Sequence, residues 1–372
     1  MKVVSTTITN SREDVIGAAL SAIKDEVDEC HVIDTGATDR TMGIAREVLG
    51  DKLVEHQFQW TGSFSDARNF ALKCAEEAGA DWAVQVDTDD CLTVPALREF
   101  LEKRVPADVN AVMIPHVSKT FGHPRCLRTG RGMVWTMPVH EYVNYAKYVD
   151  APQEWYWQCQ DRPTENVREK YHSYRRILIE WTEQNPTDGR GWYYLGDTYS
   201  ILADSDASVP REQNLEKSMG CFRNCAQHSE WKEQAAWACF RLAKILGNLD
   251  RLVECERACV EGITKRPDMA ELYWAAGVAR FHMGVQSALA TEKERHFLSA
   301  LQWAETCVKI GKRPRVAFRY PPAWYELPWQ LKAQIMVALR RQEEALVAVE
   351  YFKEAYKTRT GHDFVPGTQV ME

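Results

Sequence analysis

A chain of 372 residues is longer than one hydrophobic core usually organises, so two domains are expected. With 45 % hydrophobic and 27 % charged residues it is neither disordered nor fibrous, and its formal charge of −7 is unevenly spread. Residues 1–160 carry 16 basic against 24 acidic side chains, and the remainder 30 against 29. The acidic leading half lacks the Lys/Arg surplus that nucleic-acid binding requires, so nucleic acid is not an expected partner, whereas a divalent cation suits it. No basic–apolar–small leader pattern and no run of about 18 apolar residues is present, so no membrane span and a cytoplasmic location are expected. The 11 cysteines lie singly, and Cys221/Cys225 and Cys255/Cys259 are one helical turn apart. That spacing reads as reduced, buried thiols rather than a zinc knuckle.

Along the first 115 residues short β-rich runs alternate with amphipathic segments. The pattern predicts strands at 2–9, 29–34, 53–57, 82–87 and 111–116, with helices at 14–24, 38–49, 65–78 and 95–104 between them. Such alternation implies a mostly parallel sheet covered on both faces, with any ligand beyond the carboxyl ends of the strands. Three polar clusters fall there: Asn10 with Glu13, Asp34-Thr35-Gly36, and Asp87-Thr88-Asp89-Asp90.

From about residue 168 the periodicity is helical throughout. Trp192, Leu195, Gly196 and Tyr199 fit the W-x2-L-G-x2-Y opening of a tetratricopeptide repeat, in which a small residue lets the paired helix approach. Trp237 with Phe240, and Tyr273 with Gly277, mark later helices in similar places, and a Pro-rich stretch from Pro314 to Pro328 precedes two last helices, about 330–341 and 343–358. The aromatic residues of this half, Trp192, Trp237, Trp274 and Trp303 among them, read as core between paired helices. The expected organisation is an α/β domain over 1–160 and an all-α, tetratricopeptide-like domain over 168–372.

Asp87-x-Asp89 follows the apolar run 82–86 and is followed by Asp90. Three adjoining carboxylates repel one another, and a hard divalent ion with oxygen ligands neutralises such a cluster, although Asp90 also fits an N-cap for the helix near Pro95. Asp34 closes another strand. It reads either as part of a strand-to-helix turn, with Gly36 bending the chain and Thr38 or Asp39 capping, or as a carboxylate accepting a base N–H in a nucleotide pocket.

Taken together, the run Val32-Ile33-Asp34-Thr35-Gly36-Ala37-Thr38-Asp39-Arg40-Thr41, the block Trp60, Phe64, Ser65, Ala67, Arg68, Asn69, Phe70, Ala71, the Asp87–Asp90 element and the segment Trp135, Val139, His140, Glu141 resemble glycosyltransferase family 2 of GT-A fold. The four motifs stand in the family's order over about 140 residues, and a subgroup carrying tetratricopeptide-like helices after V-H-E resembles the whole chain. Ala37 replaces the family's Ser. The first loop reads Thr9-Asn10-Ser11-Arg12-Glu13 where similar proteins have Lys-Asn-Glu-Glu.

The resemblance implies an inverting transfer of a sugar from a nucleoside-diphosphate donor to a protein or glycan acceptor, with Mn²⁺ or Mg²⁺ as cofactor. By position, Thr7 and Asp34 would line the base, Asn10 would sit in the donor loop, and Arg68 would lie near base or ribose. Asp87 would hold the ribose or a metal-bound water, and Asp89 the cation, with His140 as a further ligand. Glu141 is the expected base and Asp90 the next in line. Asp34 at a strand end favours uracil, hence a UDP-sugar. The helical half is expected to bind acceptor or form a homo-oligomer. Two other readings are weighed: a sugar-nucleotide pyrophosphorylase, which requires a Gly-rich first loop that residues 6–13 lack, and a catalytically inactive repeat scaffold, which should have lost carboxylates that are present here.

Overall fold

The structure, a computed structural model, describes residues 1–119, 121–160, 167–312 and 317–365. The chain divides into two compact units, Met1–Asn166 and Val167–Glu372.

The first unit runs β1 (Val3–Thr9), α1 (Ile16–Ile23), β2 (Glu29–Asp34), α2 (Thr41–Leu49), β3 (Leu53–Gln57), α3 (Phe64–Glu77), β4 (Trp82–Gln85), β5 (Asp90–Thr93) and α4 (Leu97–Lys103). It continues with β6 (Ala111–Pro115), β7 (Gly122–Arg128), β8 (Trp135–Thr136), β9 (Tyr142–Val143), β10 (Tyr148–Asp150) and β11 (Tyr156–Cys159). A seven-stranded sheet has the order β10-β6-β7-β4-β1-β2-β3, and the neighbours β4, β1, β2 and β3 are parallel. β7 is antiparallel to both β4 and β6.

Successive strand residues face opposite sides, and both sides are apolar, as a sheet buried on two faces demands. Val3, Val32 and Val84 pack with Ile16, Leu20 and Met42 of α1 and α2, whereas Val4 and Ala83 pack with Leu72 and Ala75 of α3. Two expectations are corrected. Asp90 caps no helix: it opens β5, whose partner is β11, and α4 begins instead after Ala96, a residue at φ 58°. The expected strand 82–87 stops at Gln85, leaving Asp87 on the turn into β5.

The second unit is helical among its described residues: α5 (Val167–Gln184), α6 (Gly189–Ser205), α7 (Arg211–His228), α8 (Lys232–Asn248), α9 (Leu252–Lys265), α10 (Ala270–Gln286), α11 (Ala290–Ile310), α12 (Leu327–Ala338) and α13 (Gln342–Thr360). α6/α7, α8/α9, α10/α11 and α12/α13 pack as consecutive pairs, as the helices of tetratricopeptide-like arrays do. The glycine of the W-x2-L-G opening acts as expected, since a Cβ on Gly196 would lie 2.9 Å from the Phe222 ring of α7. Cys221, Cys225, Cys255 and Cys259 are free, buried thiols. No described helix is long and apolar enough to cross a membrane.

Candidate active site

The carboxyl ends of β1, β2 and β4 form one edge. Thr9 is in register with Asp34 and Thr6 with Gln85, so the Asp34 and Asp87 turns flank β1 from either side, about 10 Å apart by two strand spacings. Asp34 is 7 % exposed. Its Oδ1 accepts the N–H groups of Gly36 (2.8 Å) and Ala37 (2.7 Å), and its Oδ2 accepts the Gln57 amide (3.0 Å). Burial opposes ionisation, but the Ala37 and Gly36 amides and Gln57 outweigh it and hold the carboxyl below its usual range. Three of roughly four acceptor positions are thus used, which leaves room for one more donor.

The divergent first loop is fastened to the same turn. Arg12 N–H donates to Thr41 Oγ1 (2.6 Å), Glu13 N–H to Asp39 Oδ2 (3.1 Å), and Arg40 N–H to Glu13 Oε2 (3.0 Å). Asp39 also accepts the Thr41 N–H at 2.9 Å, an Asx-type contact just ahead of α2, whose N-cap position falls on Arg40 and carries no side-chain cap, so neither Thr38 nor Asp39 is the cap. Asn10 is exposed at the tip of β1. Thr7 is 1 % exposed on the side of the sheet that faces α1 and α2, and its hydroxyl has no hydrogen-bond partner among the described residues.

At the other turn, two arginines gather the carboxylates. Arg68 Nη2 lies 2.9 Å from Asp87 Oδ1, and its Nε donates to Glu141 Oε1 at 2.5 Å. Arg125, on β7, donates from Nη1 to Asp87 Oδ2 (2.8 Å) and from Nη2 to Asp90 Oδ2. Both guanidinium planes lie over indoles, Arg68 on Trp135 at 5.2 Å and Arg125 on Trp157 at 4.7 Å. Burial opposes ionisation of Asp87, but Arg68 and Arg125 hold it far below the usual carboxylate range. For Asp90 the balance reverses: burial, helped by the neighbouring Asp87 charge, pushes it up against the pull of Arg125. The Cys159 thiol, pushed up to about 11 by burial and by Asp90, stays protonated and donates to Asp90 Oδ1 at 3.4 Å.

The segment that carries Glu141 is fixed by the motif before it. Asn69 of α3 reads the backbone of Trp135 in both directions: its Nδ2 donates to the Trp135 carbonyl (2.9 Å) and its Oδ1 accepts the Trp135 N–H (2.8 Å). Phe64 N–H donates to the Pro138 carbonyl at 2.8 Å. Between β8 and β9 the chain is forced through two left-handed residues, Met137 (φ 73°) and His140 (φ 55°). Such backbone persists only where its surroundings over-determine it, and here α3 does so.

Asp89, 4 % exposed, lies in the turn, where its carbonyl accepts the Gln160 N–H at 2.7 Å. Among the described residues, the group of side chains whose ligand atoms converge within 4.8 Å is Asp89, Asp90 and Cys159, and His140 is not in it. The two carboxylates fit a hard cation; the protonated thiol does not. Arg68, Asp87, Asp90 and Glu141 are therefore one connected cluster, with Asp34 across β1. Sequence reasoning missed Arg125 and Cys159. Both lie on strands, β7 and β11, that no sequence pattern announced, and neither belongs to a motif.

Residues 4–150 match the profile described as glycosyl transferase family 2. The N-terminal unit carries a family 2 glycosyltransferase domain. A TPR repeat-containing protein of Synechococcus elongatus is 29 % identical over 179 residues, which are 46 % of this chain and 42 % of that protein, so the match spans less than half of the relative's length. Solved structures that resemble the chain include MamA, at 14 % identity and TM-score 0.38 over 54 % of this chain and 99 % of that one. Another is S. aureus TarS 1–349, at 16 % identity and TM-score 0.38 over 78 % of this chain and 93 % of that one.

Proposed function

We propose that the chain is an inverting glycosyltransferase that moves a sugar from a UDP-type donor to a protein or glycan acceptor with the help of Mn²⁺ or Mg²⁺. The observation that carries this reading is the convergence of the family's motifs on one sheet edge, with Asp34 on one side of β1 and the Arg68–Asp87–Glu141 cluster on the other. In this reading the remaining acceptor position of Asp34 takes the N3–H of uracil, and Asp87, made rigid by two arginines, orients the ribose. Asp89 holds the cation from the protein side, with His140 as a second ligand. When bound, the cation supplies positive charge to the departing diphosphate.

Glu141 removes the acceptor proton. Its tie to Arg68 fixes one carboxylate oxygen at the cluster, which places the group without long, mobile torsions. Asp90, which burial biases towards the protonated form, is the less suitable base. The helical unit contributes acceptor binding or self-association. The test is thermal stabilisation by nucleotides in the presence of Mn²⁺, followed by release of UDP from UDP-sugars. A larger shift with UDP than with GDP is expected, abolished by EDTA. Equal shifts, or full turnover in EDTA, would refute the donor or the metal assignment respectively, and no nucleotide release with any donor would favour the inactive scaffold.

A further inference from the structure

The first helices of the pairs, α6, α8 and α10, line a face that is covered by a piece of the chain's own backbone. Residues 317–320 run along it through a bend at Ala317 and Phe318, with Phe318 and Tyr320 partly buried against the helices and Ala317 and Arg319 exposed, so that alternate side chains turn in. The Phe318 ring lies against Tyr193 (5.2 Å between centroids), Trp231 (5.2 Å) and Trp237 (5.7 Å). The Tyr320 ring meets Phe240 (6.0 Å) and Trp274 (5.6 Å), with the Lys244 ammonium 4.8 Å above it.

The polar contacts are as regular as the apolar ones. Glu233 and Glu271 occupy the same place, the second residue, of α8 and α10. An acid in a first turn usually faces water and serves the helix dipole. These two do not: Glu233 is 6 % exposed and Glu271 0 %. A buried carboxylate is costly without donors; the Arg266 guanidinium stands 3.7 Å from Glu233 Oε2, and the closer donors come from the covering segment. Glu233 Oε1 accepts the N–H groups of Ala317 (2.9 Å) and Phe318 (3.1 Å). Glu271 Oε1 accepts the N–H of Tyr320 (3.2 Å) and the indole N–H of Trp324 (2.8 Å). Successive repeats thus each supply one carboxylate for main-chain N–H groups and one aromatic pocket for an alternate side chain.

We infer that this face is a binding groove for a peptide segment carrying two aromatic side chains two residues apart, and that residues 317–324 occupy it in cis as a self-ligand. Recognition through main-chain donors and alternate pockets depends on the spacing of the aromatics and little on the residues between them. The strap closes the groove by its tether. A tethered ligand acts at an effective concentration of about millimolar, so a free peptide of the same sequence competes poorly while the strap is seated.

The test uses the full chain and a labelled synthetic peptide of residues 317–326, followed by fluorescence anisotropy. The wild-type chain should bind it no tighter than about 1 mM. The Phe318→Ala/Tyr320→Ala double variant, which empties the pockets while leaving the strap in the chain, should bind it at least about tenfold more tightly. Adding Glu233→Gln to that variant, or replacing the peptide's two aromatics by Ala, should reverse the gain. A folded double variant that does not bind the peptide overturns the groove, and a wild-type chain that binds as tightly as the variant overturns the closure. Should the variant not fold, hydrogen exchange on the wild-type chain decides the matter. The amides of Ala317, Phe318 and Tyr320 should be protected, and free exchange of all three would sink the proposal.

Discussion

Arg125 is the residue on which the carboxylate cluster most depends, and its removal gives a quantitative test. It is 4 % exposed and is shared by Asp87 and Asp90, whose side chains are 29 % and 3 % exposed. In Arg125→Met the stem and its contact with Trp157 are largely kept, but Asp90 is left as a buried carboxylate beside a second anion. With charge centres about 4 Å apart and an effective dielectric constant near 20, the lost attraction is about 4 kcal/mol. Loss of one partner from a buried ion pair costs about 3–5 kcal/mol by experiment, in the same range. Replacing both partners should cost far less, because a neutral amide in place of the Asp90 carboxylate requires no counter-charge. The Asp90→Asn/Arg125→Met chain is therefore expected to recover at least about 2 kcal/mol of that loss. Urea-dependent hydrogen exchange in peptides covering β1 and β4 reports the opening of this unit apart from the helical one. If the two substitutions are additive within about 0.5 kcal/mol, Asp90 and Arg125 are not coupled and the electrostatic account of the cluster is wrong.

Three further outcomes are expected. Asp34→Asn keeps an oxygen for the Gly36 and Ala37 amides but offers an NH₂ where a uracil N–H would donate, so UDP affinity should fall by about 1–3 kcal/mol with little change in thermal midpoint; unchanged calorimetric affinity would count against Asp34 as the base-reading group. Glu141→Gln retains an oxygen for Arg68, so UDP and Mn²⁺ affinities should stay within about twofold while single-turnover sugar transfer falls about 10²–10⁴-fold; normal turnover would move the base elsewhere. His31, 2 % exposed and stacked 5.0 Å from His56, has its pKa lowered chiefly by burial, against the pull of Glu29. The unfolded chain takes up that proton more readily, so this contribution is present above about pH 6.5 and is lost as pH falls towards the folded value. His31→Gln should therefore lose less stability than wild type between pH 7.5 and 5.5, as read by urea midpoints, and an equal loss would refute the assignment.

The parts of the fold that were legible in the sequence are those set by local periodicity. β2 and β3 begin and end where alternation predicts, and the helices between them differ at their ends by a few residues, because caps are weaker signals than hydrophobic faces. β7 was not legible. Its residues Gly122–Arg128 include a Pro and two Arg, and it becomes a strand through its place between β4 and β6 rather than through propensity. The short β5 and β11 are strands for the same reason, each existing because the other supplies its ladder.

That difference decides which site residues could be found. Asp34, Arg68, Asp87 and Glu141 lie in motifs because each must present its side chain from a turn or a helix start whose backbone is specified by its own neighbours: Gly36 beside Asp34, Ser63 capping α3 through the Asp66 N–H ahead of Arg68. Arg125 and Cys159 need no such local chemistry. They reach Asp90 because antiparallel pairing sets β7 beside β4 and places Cys159 in register with Asp90, and any sequence able to pair there could deliver them. The same reasoning applies to the helical unit. Trp237 and Phe240 announced a core by their spacing, but that part of the surface they form is closed by Phe318 and Tyr320 depends on an irregular segment with no period of its own. Glu233 and Glu271 were the available clue, since two acids at one place in successive repeats is a pattern, and only their burial shows that they answer to a backbone rather than to water.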